Sequence, residues 1–508
     1  MGKKTLIVGT LVLSLASFIT RVLGFIFRIY MSNLMGAEGM GLYQLIFPIY
    51  MLIWSATSAG IALSVSKMVA EFTSKKQHAN AIRTLRVSLL ISISLSIMIA
   101  LFIFFFAPYI ATYFIHAPQT TLSLKILATC APFMAAACCI RGYFQGRQEM
   151  TIPAISQIGE QVMRMLAIYL FAGFFVTKGV SYACALGVLG MCFGEAFSFL
   201  FAYIAYRAKK TSLKMNKASI SYLRLIANLS TLAIPITANR FLTSTLQSIE
   251  NILIPIQLQK FGLSEMNALA TYGKFSGMAL PLLFFPSMVT MSLSTVLVPV
   301  ISEAVVTKRK TMLQKMMSKS IQISSLIGIG ASALFLTLSK EIAIACYGMA
   351  DIGEFLHLLA IICPFLYLQS ILTGALNGLG MQKTTFKINI IGSILCISLI
   401  FYLVPIKGIL GFVIALLLQS GIVTILHMWE ILKTIDLSVD ILNWIVKPLL
   451  SAIAGSLFMK YIYNTYLHCM FSQRLSTFIA IFALGSFYIA FLFLSKCITL
   501  KDINEFIK

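Results

Sequence analysis

The sequence predicts an all-α integral membrane protein with about 14 transmembrane helices, arranged as two parallel six-helix lobes followed by two C-terminal helices. The 508 residues are 59% hydrophobic and only 11% charged, a composition that a soluble globular domain does not have. The apolar residues also fall into runs of about 20 or more, which is the length a helix needs to cross the hydrocarbon core. A long internal repeat predicts the two lobes.

The apolar runs are expected to be helices because a membrane helix satisfies its backbone hydrogen bonds internally, and their pattern lacks the alternation of barrel strands. The first run contains Arg21 and Arg28 and has no small-residue cleavage site at its end. We therefore expect it to be a permanent helix rather than a signal peptide. The predicted spans are, in order, roughly 5–31, 42–69, 84–106, 122–143, 153–177, 181–206, 223–254, 268–300, 319–346, 355–378, 386–405, 408–432, 445–466 and 475–497.

One stretch of the chain occurs twice, with an offset of 232 residues. The matched residues are Ala131-Pro132-Phe133 with Cys363-Pro364-Phe365, Gly142 with Gly374, Gly146 with Gly378, and Gly41 with Gly273. This period is far longer than a solenoid repeat, so it predicts two copies of one large unit. We predict an N-lobe over residues 1–217, a C-lobe over residues 218–435, and helices 13 and 14 over residues 436–508. Duplicated lobes are typical of alternating-access transporters.

The positive charges predict the orientation in the membrane. The formal net charge is +23, and the lysines and arginines cluster on one set of loops. By the positive-inside rule, this set and both termini face the cytoplasm of a multi-pass cell-membrane protein, which also favours contact with anionic membrane lipids. The longest basic loop, Arg207–Lys217, is the predicted junction of the lobes. Members of the cytoplasmic set include Arg83, Arg86, Arg141, Arg147, Lys308 and Arg309.

Several classes of function are disfavoured because the sequence lacks the motifs that they need. It has no phosphate-binding loop, no legible nucleophile–base pair or carboxylate dyad, and no soluble basic domain for nucleic acid, so we expect neither an ATPase nor an enzyme. The ten cysteines lie mostly in apolar runs without C-x-x-C spacing, which favours packing over metal binding. We expect no cofactor, and the residues do not identify a coupling ion.

Charges inside the apolar runs are the candidate functional residues. Placing one Arg or Lys at the bilayer centre costs roughly 2.5–3.5 kcal/mol, so such residues are expected to face protein or a wet cavity. Arg21 and Arg28 are two helical turns apart and share one face of helix 1. Six cations stand against three acids, and this positive surplus predicts an anionic ligand. The charges counted are Arg21, Arg28, Lys67, Arg164, Arg240 and Lys274 against Glu160, Glu195 and Glu250.

Some of these charges have alternative interpretations. Glu160 and Arg164 are spaced i, i+4 with the acid first, which favours mutual neutralisation and leaves a cavity role open. Arg28 lies close enough to a helix end for its side chain to reach the interface. Arg240 is nearly three turns from Glu250, so we expect another partner for it. The candidate substrate-binding set is Arg21, Arg28, Arg164, Arg240 and Lys274, with Arg21 and Lys274 deepest in their runs and expected to be unpaired.

The first helix carries a motif that resembles a known family. The segments Ser17-Phe18-Ile19-Thr20-Arg21-Val22-Leu23-Gly24-Phe25 and Gly36-Ala37-Glu38-Gly39-Met40-Gly41-Leu42-Tyr43-Gln44 are similar to the stage V sporulation protein B family. That family belongs to the multidrug/oligosaccharidyl-lipid/polysaccharide exporter superfamily. The resemblance implies two six-helix lobes around a central cavity plus two extra helices. It also implies flipping of a polyprenyl-diphosphate-linked saccharide, with lipid II for the spore cortex as the expected substrate.

The resemblance also implies roles for individual residues. Related lipid II flippases bind the substrate diphosphate with cavity arginines, and Arg21 falls on a matching position of helix 1. Lys274 falls where those flippases carry an arginine on helix 8. Two positions depart from the pattern, because Phe27 rather than Arg28 aligns with a second helix 1 arginine and the position near Trp54 holds no cation. Peptidoglycan synthesis proteins are the partners that this function implies.

Two other functions remain open at this point. A cation-coupled drug antiporter of the same superfamily would need an acidic cavity. A non-transporting membrane scaffold for cortex synthesis would not need the charges inside the helices.

Overall fold

The computed structural model describes residues 3–210, 220–463, 465 and 472–498. In these residues 13 helical segments are long and apolar enough to cross a membrane. The first segment, Val12–Ser74, has 63 residues, which at 1.5 Å per residue would extend about 95 Å, roughly three times the thickness of the hydrocarbon core. It overlaps the first two predicted spans, so the 13 segments correspond to the 14 predicted spans. The all-α membrane fold is confirmed.

The chain separates into two compact units, and the first contains the residues up to Ile256 together with Leu263–Gly273. Its helices are α1 Lys3–Trp54, α2 Gly60–Ser74, α3 His78–Tyr109, α4 Thr121–Gly146, α5 Thr151–Val176, α6 Val180–Lys210, α7 Tyr222–Lys260 and α8 Glu265–Tyr272. The last residues of α7, from Gln257 onward, are counted with the second unit. Helix α1 is interrupted at Gly36, where φ is 69° and ψ is −175°. Glycine is suited to this position because its lack of a β-carbon permits a positive φ.

The second unit contains Gln257–Gly262 and the described residues from Lys274 onward. Its helices are α9 Leu280–Phe284, α10 Ser287–Val306, α11 Lys310–Tyr347, α12 Asp351–Leu359, α13 Cys363–Gly378, α14 Gln382–Lys407, α15 Ile409–Ile435, α16 Lys447–Ile462 and α17 Gln473–Leu494. The predicted boundary at residue 217 lies outside the described residues, as does most of the basic junction. The division at 217 and 435 therefore stays a prediction.

Each unit has its own apolar core. In the first unit, residues of α2, α3, α4, α6 and α7 pack together, with Tyr143 and Phe144 among the largest buried side chains. In the second unit, α10, α11, α13 and α15 form one cluster, and α11, α16 and α17 form another. The last two helices are thus packed on α11 of the same unit.

The sequence repeat corresponds to one helix contact that is made in each unit. A β-carbon built on Gly142 would lie 2.5 Å from the carbonyl oxygen of Ala62, so α4 and α2 approach too closely for any larger residue. A β-carbon on Gly374 would lie 2.8 Å from the carbonyl oxygen of Ser294, where α13 meets α10. Ala62 and Ser294 are themselves 232 residues apart. The repeated glycines therefore lie at an equivalent close helix contact in each unit.

Candidate functional site

The first unit contains a polar cavity of about 630 Å³ among its helices. Helices α1, α2, α4, α5, α6 and α7 contribute side chains to its wall. The lining residues are Ser17, Thr20, Arg21, Tyr50, Trp54, Ala59, Ala62, Leu63, Cys138, Arg141, Gly142, Gln145, Gln157, Glu160, Gln161, Glu195, Ile236 and Arg240. Polar and charged residues are therefore concentrated in a segment of the chain that is otherwise apolar.

Helical spacing explains why these side chains meet at one wall. On α4, Cys138, Arg141 and Gln145 are three and four residues apart and lie on one face. On α5, Gln157 and Glu160 are also three residues apart. The two helices both pack against α6, which places the α4 and α5 faces side by side. The close approach at Gly142 and Gly146 holds α4 against α2 on its other side.

Arg141 is at the centre of a buried ionic network. Its Nη1 atom donates to Glu160 Oε2 at 3.0 Å and to Ser198 Oγ at 3.0 Å, and its Nη2 atom lies 3.1 Å from Cys138 Sγ. Glu160 Oε1 accepts from Arg164 Nη2 at 2.8 Å. The three charged side chains are only 13–17% exposed. One carboxylate thus neutralises two guanidinium groups in part, and the triad keeps one positive charge.

Glu195 is the second acid of the cavity wall, and it is more deeply buried. The residue is 2% exposed, and its Oε1 atom accepts a hydrogen bond from the Tyr50 hydroxyl at 2.7 Å. Its Oε2 atom has no hydrogen-bond partner within the described residues. Helix α6 approaches α5 closely at Gly194, where an added β-carbon would lie 2.8 Å from the carbonyl oxygen of Glu160. This approach keeps the two glutamates on the same side of the cavity.

Two further arginines give the cavity its positive surplus. Arg21 from α1 and Arg240 from α7 both line it, and both residues are exposed. Within the described residues no carboxylate lies within ion-pair distance of Arg240. Together with the buried triad and Glu195, the cavity and its wall hold four arginines against two glutamates. The sign of this surplus is complementary to an anion, and guanidinium groups can make strong paired contacts with phosphate and carboxylate oxygens.

The structure places the five predicted site residues in different surroundings. Arg21 and Arg240 line the cavity, and Arg164 is joined to its wall through the predicted ion pair with Glu160. Arg28 is half-buried on α1 and does not line the cavity. Lys274 belongs to the second unit. The binding roles of all five residues stay predictions.

The expectation that Lys274 has no acidic partner is wrong. Its ammonium group forms an ion pair with the carboxylate of Asp351 at the start of α12. Lys274 lies in a π-helical turn, Gly273–Ala279, rather than in a regular helix. Asp351 is not among the acids counted inside the apolar runs, which are Glu160, Glu195 and Glu250. An i, i+4 pair can be recognised from spacing, but these two residues are 77 positions apart and only the fold brings them together.

The assignment of Arg141 to the cytoplasmic loop charges is also wrong. Arg141 lies inside α4, and the contacts with Glu160 and Ser198 hold its side chain in the cavity wall. One signal could have identified it, because it falls within the predicted span 122–143 and directly precedes the glycine of the repeated motif. Its position near the end of the span made it look like an interfacial residue.

The sequence profile of the polysaccharide biosynthesis protein family matches residues 6–305, more than half of the chain. The chain belongs to the polysaccharide biosynthesis protein family. The MatE profile also matches this chain, over residues 241–402.

Proteins similar to this chain match it over most of its length. Stage V sporulation protein B of Bacillus subtilis (strain 168) is 29% identical over 461 residues, which cover 90% of this chain and 89% of that protein. A structure of the lipid II flippase MurJ in an inward closed conformation has a TM-score of 0.68 at 16% identity and covers 95% of this chain and 98% of that one. An inward-facing multidrug resistance MATE family transporter of the MOP superfamily has a TM-score of 0.64 at 15% identity, covering 82% of this chain and 95% of that one. The resemblance to the stage V sporulation protein B family and its exporter superfamily is confirmed.

Proposed function

We propose that this protein is a flippase that moves a polyprenyl-diphosphate-linked saccharide across the cytoplasmic membrane by alternating access. The observation that carries the proposal is the surplus of arginine in the cavity of the first unit, where Arg21, Arg141 and Arg240 line one space. A diphosphate offers several oxygens to such groups, and the contacts can be exchanged one at a time as the protein changes conformation. The relatives support a carrier rather than an enzyme.

The substrate is proposed to be a lipid-linked glycan of cell-wall synthesis, with lipid II for spore cortex peptidoglycan as the first candidate. The names of two relatives support this choice, because one is a stage V sporulation protein and the other is a lipid II flippase. Peptidoglycan synthesis enzymes are the protein partners that would supply and consume such a substrate. In this proposal the polyprenyl tail stays in the lipid while the diphosphate enters the cavity.

The positive surplus also bears on the drug-antiporter alternative. An organic cation would meet four arginines and only two glutamates in this cavity and its wall, so its binding there is opposed by like charge. An anionic headgroup has the complementary sign. We therefore prefer the glycolipid to the drug as substrate.

The proposal is tested by translocation of a labelled lipid-linked precursor in vesicles that contain only this protein. Each charge-assisted contact is worth roughly 1.5–3 kcal/mol, so R21A and R240A should each weaken diphosphate binding by about tenfold or more and slow translocation. The matched control is R224A, which removes an exposed arginine from the same helix as Arg240 but outside the cavity.

Three results would contradict the proposal. Normal translocation by the R21A/R240A double variant would show that these two arginines do not form an anion-binding site. Saturable binding of organic cations with no binding of diphosphates would favour the antiporter. Cortex formation that continues normally without any measurable translocation would favour the scaffold.

A further inference from the structure

Glu195 is a charged group of the cavity wall that an anion-binding role does not explain. The carboxyl is 2% exposed, and only its Oε1 atom has a partner, the Tyr50 hydroxyl. The Oε2 atom is shielded from solvent and accepts no hydrogen bond within the described residues. Buried polar atoms are nearly always hydrogen-bonded, and burial of an ionised carboxylate is especially unfavourable when one of its oxygens has no hydrogen-bond donor. A bound proton removes this penalty because it makes the carboxyl neutral.

We propose that Glu195 is a proton-binding site whose occupancy sets how strongly the cavity holds its anionic ligand. This inference rests on the proposed function, because the linked ligand is the diphosphate group. The step is the transfer of one proton from a hydronium ion in the cavity to the Glu195 carboxylate. It forms one O–H bond and leaves a water molecule.

The surroundings of Glu195 explain why its charge matters to the ligand. The Arg141–Glu160–Arg164 triad carries one net positive charge, and an ionised Glu195 cancels it. A protonated Glu195 leaves that charge available to an anion. The charged and titratable groups around it are Tyr50 and Arg21 on α1, Cys130, Cys138 and Arg141 on α4, Glu160 and Arg164 on α5, Cys192 on α6 itself, and Arg240 on α7.

A proton fits this site better than a metal ion does. Hard cations need several oxygen ligands at once, and within the described part of the chain no cluster of three or more His, Cys, Asp or Glu side chains could hold one. The charged side chains that act on the carboxyl are Glu160, Arg141 and Arg164, and the two arginines repel a metal ion.

The test is calorimetric binding of farnesyl diphosphate, a short polyprenyl diphosphate, to the purified full-length protein at several pH values. Titrations in two buffers of different ionisation enthalpy give the number of protons taken up with the ligand. For each ligand bound, we expect wild type to take up as much as one proton more than E195Q does. Its affinity should rise as pH falls, by at most about tenfold per pH unit relative to E195Q.

Gln imitates the protonated acid, so E195Q should keep the high-affinity state of wild type at all pH values apart from the titration of the ligand itself. The control E71Q removes an acid that is exposed and paired with Lys75, and it should match wild type. In Y50F the carboxylate loses its one hydrogen-bond donor, so the proton uptake should move to higher pH. This second variant keeps the carboxyl and tests the inference if E195Q does not fold.

An infrared difference spectrum gives a direct signature. Addition of farnesyl diphosphate to wild type should produce the C=O band of a protonated carboxyl, and the band should be absent in E195Q. The inference is overturned if wild type and E195Q show the same proton uptake and the same pH profile. If farnesyl diphosphate binds neither wild type nor any variant, or binds without dependence on Arg21 and Arg240, the proposed function itself fails. The two failures are therefore distinguishable.

Discussion

Replacement of Arg141 by methionine is the sharpest test of the buried network. Methionine keeps an unbranched, flexible side chain but removes the guanidinium group and its charge. The variant loses the 3.0 Å contacts with Glu160 and Ser198 and the contact with Cys138. Glu160 keeps its ion pair with Arg164 at 2.8 Å, so its carboxylate loses one of two cationic partners and is not left unpaired.

The magnitude follows from these contacts. A hydrogen bond to a charged group contributes about 1.5–3 kcal/mol and a neutral one about 1 kcal/mol. Removing one partner of a buried ion pair costs about 3–5 kcal/mol. Because Arg164 remains, we expect R141M to lower the free energy of unfolding by about 3 kcal/mol, at the lower end of that range.

Thermal unfolding in detergent can be followed with a thiol-reactive dye, because the cysteines of α4 and α6 report when buried residues become exposed. Cys130, Cys139 and Cys184 are buried in the folded protein. The control is R224M, which changes an exposed arginine of α7 and should leave the midpoint unchanged.

A double-mutant cycle with E160Q isolates the ion pair. Since the two groups are in contact, E160Q should cost about 1–3 kcal/mol less in the R141M background than in wild type. Costs that add to within about 0.5 kcal/mol, or an R141M protein as stable as wild type, would refute the network as a stabilising unit.

Three further outcomes are expected. G142A should lower stability by about 1–3 kcal/mol because its methyl group would lie 2.5 Å from a carbonyl oxygen of α2, whereas G173A has no atom within 4 Å and should be neutral or better in the same unfolding assay. H427L should raise the free energy of unfolding by about 1–3 kcal/mol, because His427 is fully buried and neither ring nitrogen has a hydrogen-bond partner within the described residues. A lower unfolding midpoint than that of wild type would contradict this. K274M should reduce translocation at least about tenfold while D351N should not, and equal losses would mean that Lys274 serves only the ion pair with Asp351.

Part of the site could be predicted from the sequence. A charged side chain inside an apolar run must face protein or a water-filled cavity, because its exposure to lipid is costly. Arg21 and Arg240 could therefore be recognised as cavity candidates from their positions in the sequence. Both line the same space in the first unit. The pair of Glu160 and Arg164 could be recognised from the spacing of one helical turn, and it is present.

The sequence by itself determined the fold class, the approximate positions of the apolar segments and the repeat. The fold class and the apolar segments follow from local composition, because a helix in lipid must form its backbone hydrogen bonds internally. The repeat is found by comparing the sequence with itself, and the two copies keep small residues at the same helix contact. Gly142 and Gly374 show this, because each meets a carbonyl oxygen at repeat-equivalent positions.

Only the tertiary structure decided which charges meet. Arg141 joins Glu160 across 19 residues and Ser198 across 57, and Lys274 joins Asp351 across 77. The buried environment that leaves one oxygen of Glu195 without a partner is also absent from the linear sequence. The physical reason is that the spans are apolar around most of their circumference, so hydropathy does not reveal how each helix is rotated about its axis. That rotation is fixed by packing against neighbours distant in the chain, and it decides which polar side chain faces the cavity.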